Sequence, residues 1–222
     1  MCGIIGFRGK NVTQEHLRVL QKVMIESRIR GMHASGIAWS NKGSILSVVK
    51  PIPIDKLVEE FNWSVFFPDN QNIAPKMSLI AHARYSTSDI RYNQPIVGEH
   101  LAIAHNGVIT QSDPSTWKKT YGYNCKTCND SELILRCIEA GNNPISIFKD
   151  SSIAGVILNE DGEIMCFRNF ARPLWVGKIG ESTVMASTRD ILERSGVSDV
   201  KKFPSMDNHD DLQRRDIELW KN

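Results

Sequence analysis

The chain opens with Met1-Cys2-Gly3-Ile4-Ile5-Gly6-Phe7, a cysteine followed by a short apolar run between glycines. The run reads as a buried strand. A strand holds in place a terminus that would otherwise fray. With Met1 removed, Cys2 carries a thiol and a free α-amine on one residue. The thiolate is a nucleophile, and an α-amine, ordinarily titrating at ~7.7–8.0, is a base poised near neutrality. A terminal nucleophile served by its own amine is one form of the nucleophile-plus-base arrangement. Cysteine is also among the most commonly buried residues, so position alone leaves a plain core thiol and a nucleophile both open.

The 222 residues suffice for a sizeable core, and no linker, repeat or composition shift divides them. Residues 1–222 therefore read as a single domain. A net charge of +2 gives no electrostatic case for a nucleic acid or an anionic membrane. No apolar run is long enough to span a bilayer, and the N-terminus lacks the basic and apolar regions of a signal peptide. A cytoplasmic location is the expectation. The five cysteines are odd in number and unevenly spread, which argues against a disulfide framework.

Outward from the first strand, Asn11 to Ser27 reads as an amphipathic helix with Leu17, Leu20 and Met24 on its apolar stripe. Asn11 and Gln14 have the spacing of a capping box, and Arg28-Ile29-Arg30-Gly31 closes the helix. Residues 35–39 and 44–49 flank Asn41-Lys42-Gly43 as a hairpin. Residues 54–61 suggest a short helix. Phe61, Trp63, Phe66 and Phe67 then form an aromatic group, read as satellite core under a loop. Met77 to Ala83 and Leu101 to Ala104 are apolar strands, each closing on polar residues. Ser112 to Thr127 reads as loop. Asn129 to Gly141 is a helix whose Asn129 and Glu132 again have capping-box spacing. Two further hairpins span 153–167 and 174–186, and Ser187-Thr188-Arg189-Asp190 starts a last helix. In the tail, residues 207–211 read as solvated, and Ile217, Leu219 and Trp220 as a strand or a packing surface. Strands in hairpins with helices between groups predict antiparallel sheets covered by helices, an α+β layered domain.

Four stretches stand behind Cys2 in order: Arg30-Gly31-Met32-His33-Ala34-Ser35-Gly36, His82-Ala83-Arg84-Tyr85-Ser86-Thr87, His105-Asn106-Gly107 and Asn129-Asp130-Ser131-Glu132. This order resembles the class II glutamine amidotransferases, the N-terminal-nucleophile glutaminases, from Cys2 to about Gly196. The resemblance implies a four-layer αββα sandwich of two stacked antiparallel sheets. It also implies that Cys2 attacks the side-chain amide of L-glutamine to give a γ-glutamyl thioester. Asn106 and the Gly107 N–H would form the oxyanion hole. Arg84, with Thr87 beside it, would grip the substrate carboxylate. Asp130 would pair with its α-ammonium, and Arg30 would support the nucleophile's surroundings. Taken singly, each residue has an ordinary reading. Asn106-Gly107 suits a turn, Asp130 a helix start, Arg84 an exposed surface, and His82 and His105 core positions on apolar strands.

The sequence departs from the family pattern at His33, where an acidic residue is usual. It departs again near Tyr85 and Ser88, in the loop expected to close over substrate. It also shows no acceptor domain and no phosphate-cradling glycine motif. The leading expectation is a glutaminase that passes ammonia to a separate synthase or synthetase chain, with no cofactor, metal, nucleic acid or membrane. The oligomeric state is open. The alternative is a hydrolase of γ-glutamyl or other amides with water as acceptor. A metal or redox role for Cys125 and Cys128 is a third possibility, lacking the second ligand pair that a zinc site needs.

Overall fold

The computed structural model describes residues 1–68, 71–86 and 92–206. Thr87, Ser88 and the tail with Ile217, Leu219 and Trp220 fall outside them. The strands and helices in chain order are β1 (Gly3–Thr13), α1 (Gln14–Glu26), β2 (Ala34–Asn41), β3 (Ser44–Lys50), α2 (Ile54–Glu60), β4 (Ile73–Arg84), β5 (Ile96–Val97), β6 (Leu101–Val108), α3 (Trp117–Tyr121), α4 (Ser131–Glu139), α5 (Pro144–Ile147), β7 (Ser152–Asn159), β8 (Ile164–Arg168), β9 (Trp175–Ile179), β10 (Ser182–Ala186), α6 (Arg189–Arg194) and β11 (Ser198–Lys202). A seven-stranded sheet has the order β11-β9-β10-β1-β4-β2-β3, and a four-stranded sheet the order β5-β6-β7-β8. The strand pairs of both sheets are antiparallel. Helices α1, α2 and α6 cover the outer face of the large sheet, and α4, with α3 and α5 beside it, covers the small one. This is the four-layer α+β sandwich that the hairpins and the resemblance predict.

The layering explains the apolar runs. Along β4, Ile80 faces the small sheet, while Leu79 and Ala81 face α1 and α2. Along β1, Ile4 points inward, and Ile5 and Phe7 pack with Leu17, Leu20 and Met24. A central strand covered on both faces has no polar side, so its sequence does not alternate. Burying each such Ile, Leu or Phe contributes ~1.5–3 kcal/mol. The aromatic group is core, though not a satellite: Phe66 and Phe67 are buried in the cluster of α1, α2 and the large sheet, and the Phe61 ring stands edge-on to Trp39 at 5.2 Å and to Trp63 at 4.8 Å.

Several local readings are corrected. The first strand continues to Thr13, so the capping box of α1 is Thr13 with His16, not Asn11 with Gln14. Asn11 instead sits in the strand with φ +50°. Asn106-Gly107 is not a turn, because β6 runs through it in register with β7. The stretch read as loop holds α3, closed by Gly122 in the left-handed region at φ +81°. The Asn129–Glu132 box does not form. Glu132 accepts from the Lys126 and Thr127 N–H groups at 2.9 and 2.6 Å and pairs with Arg136 at 2.8 Å. Burial opposes ionisation of Glu132, but these donors hold its carboxyl below the usual range. Strands β5 and β11 are short and have no clear sequence signal. No helix among the described residues is long and apolar enough to cross a membrane.

Candidate active site

Pairing of Gly3 with Ala83 sets Cys2 at the end of β1, next to the end of β4 that carries Arg84. The start of β1 is tied down twice. Ile4 N–H donates to Ser187 Oγ at 2.9 Å, and Arg30 Nε donates to the Cys2 carbonyl at 3.4 Å. In the small sheet, β6 carries His105-Asn106-Gly107 to the same place. The Cys2 N–H donates to Asn106 Oδ1 at 3.1 Å across the gap. Met1 precedes Cys2 here, so that nitrogen is a peptide N–H standing where an α-amine would stand once Met1 is gone.

Between these strand ends and the start of α4 lies a cavity of about 500 Å³, lined by Cys2, His82, Arg84, His105, Gly107 and Asp130 among others. The structure thus gathers the sequence-predicted residues, Asn106 joining through its bond to Cys2. Arg30 stands behind Cys2, where burial and the charge of Arg172 lower its pKa against the opposing pull of Cys2. Thr87 lies outside the described residues.

Asn106 is 3% exposed. Its Oδ1 is occupied by Cys2, which fixes the amide's orientation, and its buried Nδ2 has no hydrogen-bond partner among the described residues. A buried donor without a partner is costly and marks a place for a water or a ligand. Gly107 has φ +155°, and a Cβ there would stand 1.7 Å from the Ser152 carbonyl oxygen. Only glycine lets β6 pass β7 at this point.

Arg84 is largely buried, and its Nη1 donates to the Tyr92 carbonyl and to Asn93 Oδ1, each at 2.5 Å. Asp130 stands at the start of α4 but does not cap it. Its Oδ2 accepts from Ile109 N–H at 2.7 Å and its carboxylate lines the cavity. The isolated reading of Asp130 as a helix-start residue holds, since it occupies the N-cap position of α4 without a side-chain cap bond, while that of Arg84 as an exposed arginine is overturned.

His82 and His105 sit on the inner strands as the sequence suggests, and both line the cavity. Burial first, then the charges of Arg84 and His105, lower His82 to about 3, with the His105 backbone pulling weakly the other way. That backbone lies near without hydrogen-bond geometry, and neither His82 ring nitrogen has a partner among the described residues. Burial lowers His105 to about 4 against the opposing pull of Asp130 and the Ser152 carbonyl. Both rings are neutral near neutral pH.

Gln94 and Ser131 escaped the sequence reading. Gln94 Nε2 donates to Ser131 Oγ at 2.9 Å, its Oε1 accepts from His105 N–H at 2.6 Å, and Ser131 Oγ meets His105 Nδ1 at 2.9 Å. This triangle ties the start of α4 to β6. Gln94 lies in a polar stretch with no periodicity, so nothing local marks it. Ser131 was hidden among the helix-start residues. The cysteines of the 125–128 turn are free, and Cys128 also lines the cavity. Burial, helped by Glu132, pushes the Cys125 thiol up to about 11. Among the described residues no three His, Cys, Asp or Glu side chains gather as a metal site.

A two-sheet αββα sandwich with a cysteine at the start of a central strand is the architecture of the N-terminal-nucleophile hydrolases. Solved structures of similar fold include the glutamine phosphoribosylpyrophosphate amidotransferase of B. subtilis, complexed with ADP and GMP. It has a TM-score of 0.69 and 20% identity, with 91% of this chain and 45% of that one covered. An allosteric regulatory enzyme of purine biosynthesis matches with a TM-score of 0.67 and 18% identity, over 91% of this chain and 45% of that one. Among curated proteins, the glutamine–fructose-6-phosphate aminotransferase of Bartonella henselae is 30% identical over 161 residues, 68% of this chain and 24% of the relative. That of Clostridium acetobutylicum is 27% identical over 215 residues, 86% of this chain and 33% of the relative. The chain thus spans a quarter to a third of the length of these relatives. No family model matches. The chain belongs to the class II glutamine amidotransferase domain family.

Proposed function

We propose that this domain is a glutaminase that releases ammonia from L-glutamine for a synthase or synthetase on a separate chain. Cys2 is the nucleophile of the mature protein, which begins at Cys2. Its α-amine takes the thiol proton as sulfur attacks the side-chain amide carbon, and returns that proton to the leaving nitrogen. The products of this half-reaction are the γ-glutamyl thioester and ammonia. Water then hydrolyses the thioester to glutamate and restores the thiol. Asn106 Nδ2 and the Gly107 N–H stabilise the oxyanion of each tetrahedral intermediate. Arg84 and Thr87 bind the α-carboxylate, Asp130 binds the α-ammonium, and Arg30 steadies the first residue.

The observation that carries this reading is the Asn106 side chain. One end holds the nitrogen of Cys2 at 3.1 Å, and the other is a buried N–H group with no partner among the described residues. Base and oxyanion donor are then set by one amide. The opposed charges of Arg84 and Asp130 on the same cavity suit a zwitterionic head group. Steady-state release of glutamate and ammonia tests the reading, with L-glutamine and γ-glutamyl amides as competing substrates and affinity capture to find the acceptor chain. Preferred hydrolysis of glutamine supports it. Hydrolysis of other amides with glutamine left untouched would overturn it.

A further inference from the structure

The peptide unit joining Tyr85 to Ser86 is held at both edges. Its N–H donates to Nδ1 of His33 at 2.8 Å, and its carbonyl oxygen accepts from the Cys2 thiol at 3.9 Å. A trans peptide is planar, with N–H and C=O on opposite edges, so turning one edge turns the other. The same histidine fixes Tyr85 from its other side. The His33 N–H donates to the Arg84 carbonyl at 3.0 Å, and the His33 and Tyr85 rings lie 5.0 Å apart, tilted by 38°. Among the described residues, Arg84 donates to Tyr92 and Asn93, Arg30 to the Cys2 carbonyl, and Arg28 pairs with Asp55. Nδ1 accepts only when it carries no proton, so the ring hydrogen of neutral His33 sits on Nε2.

We propose that His33 is a positioning residue for Cys2: by accepting from Ser86 N–H it turns the Tyr85 carbonyl toward the sulfur and holds the resting thiol aimed. This rests on Cys2 being the nucleophile. A carbonyl oxygen accepts from a thiol, so the contact fixes the direction in which the sulfur points. His33 acts at one remove, through a single peptide plane.

The test compares the full wild-type chain with His33→Asn and His33→Ala. Asparagine keeps an acceptor near the place of Nδ1, and alanine removes it. Two readouts are taken without glutamine: the amide resonance of Ser86 by NMR, and the rate at which iodoacetamide alkylates Cys2, followed by peptide mass. The expected result has two parts. Ser86 N–H stays downfield and exchange-protected in the wild type and His33→Asn, and loses both signatures in His33→Ala. Cys2 alkylation is unchanged in His33→Asn and about two- to fivefold faster in His33→Ala, the size of a weak sulfur hydrogen bond. Equal alkylation rates in all three proteins would overturn the proposal, as would His33→Asn behaving like His33→Ala. Neither readout uses catalysis. Absence of glutamine hydrolysis beside the expected pattern would remove the glutaminase reading and leave the positioning role standing.

Discussion

The end of β1 and the end of β6 face each other across one cavity, and they are finished in opposite ways. On the β1 side the polar atoms are engaged. The Cys2 N–H is bonded to Asn106, its carbonyl to Arg30, and its thiol to the Tyr85 carbonyl. On the β6 side Asn106 Nδ2 and His105 Nε2 are buried with no partner among the described residues. Folding normally pairs buried donors and acceptors. The β1 end is therefore braced throughout, while the β6 end is braced by Gln94, Ser131 and Cys2 but leaves one buried donor, Asn106 Nδ2, without a partner among the described residues. In the proposed reaction this donor meets the charge that develops on the substrate oxygen.

The contrast can be broken from either side. The largest effect is expected for Cys2→Ala, which should reduce glutamine hydrolysis to background while leaving the melting temperature nearly unchanged, since one small side chain at a strand start is lost. Residual turnover above background would place the nucleophile elsewhere. Asn106→Ala removes the open donor and is expected to cost ~10²–10³ in kcat, the usual loss for one oxyanion donor. A loss confined to KM would contradict that role. Asp130→Asn keeps an acceptor for Ile109 N–H but deletes the charge. Its cost should be ~10- to 100-fold in kcat/KM, mostly in KM, as for a hydrogen bond to a charged group. An unchanged KM would remove Asp130 from the head-group site.

The smallest effect is on stability. With folded-state values of about 3 and 4 against an ordinary 6.5, His82 and His105 refuse protons that the unfolded chain accepts. Their contribution is full above about pH 6.5 and falls as pH drops toward 4 and below. Thermal melts should show this acid loss, and His82→Leu should flatten it. Parallel curves for the two proteins would show that His82 is not the cause.

What was legible in the sequence follows from how local each signal is. β1 and β4 were readable because they are buried on both faces, and their unbroken apolar runs record that. Cys2, Arg84, Asn106, Gly107 and Asp130 were found only as an ordered set resembling a family, because each has a commoner reading alone. Gln94, Ser131 and the Tyr85 carbonyl were out of reach. Their roles come from contacts between distant segments, such as Gln94 with Ser131 and Cys2 with Tyr85, and no local pattern encodes those. The capping boxes at Asn11 and Asn129 misled for a related reason. Spacing allows a box, but β1 runs on past Asn11, and Glu132 is drawn to the 126–127 backbone instead.

The proposed reaction requires Cys2 to be the first residue of the active protein and its nucleophile. The direct test is to treat the purified protein with the glutamine analogue 6-diazo-5-oxo-norleucine and read intact mass and mapped peptides. The expected result is a chain lacking Met1 that carries one adduct, on the sulfur of Cys2, with glutamine hydrolysis lost in proportion to labelling. A protein that retains Met1 and still hydrolyses glutamine, or one inactivated by an adduct on another residue, would contradict it.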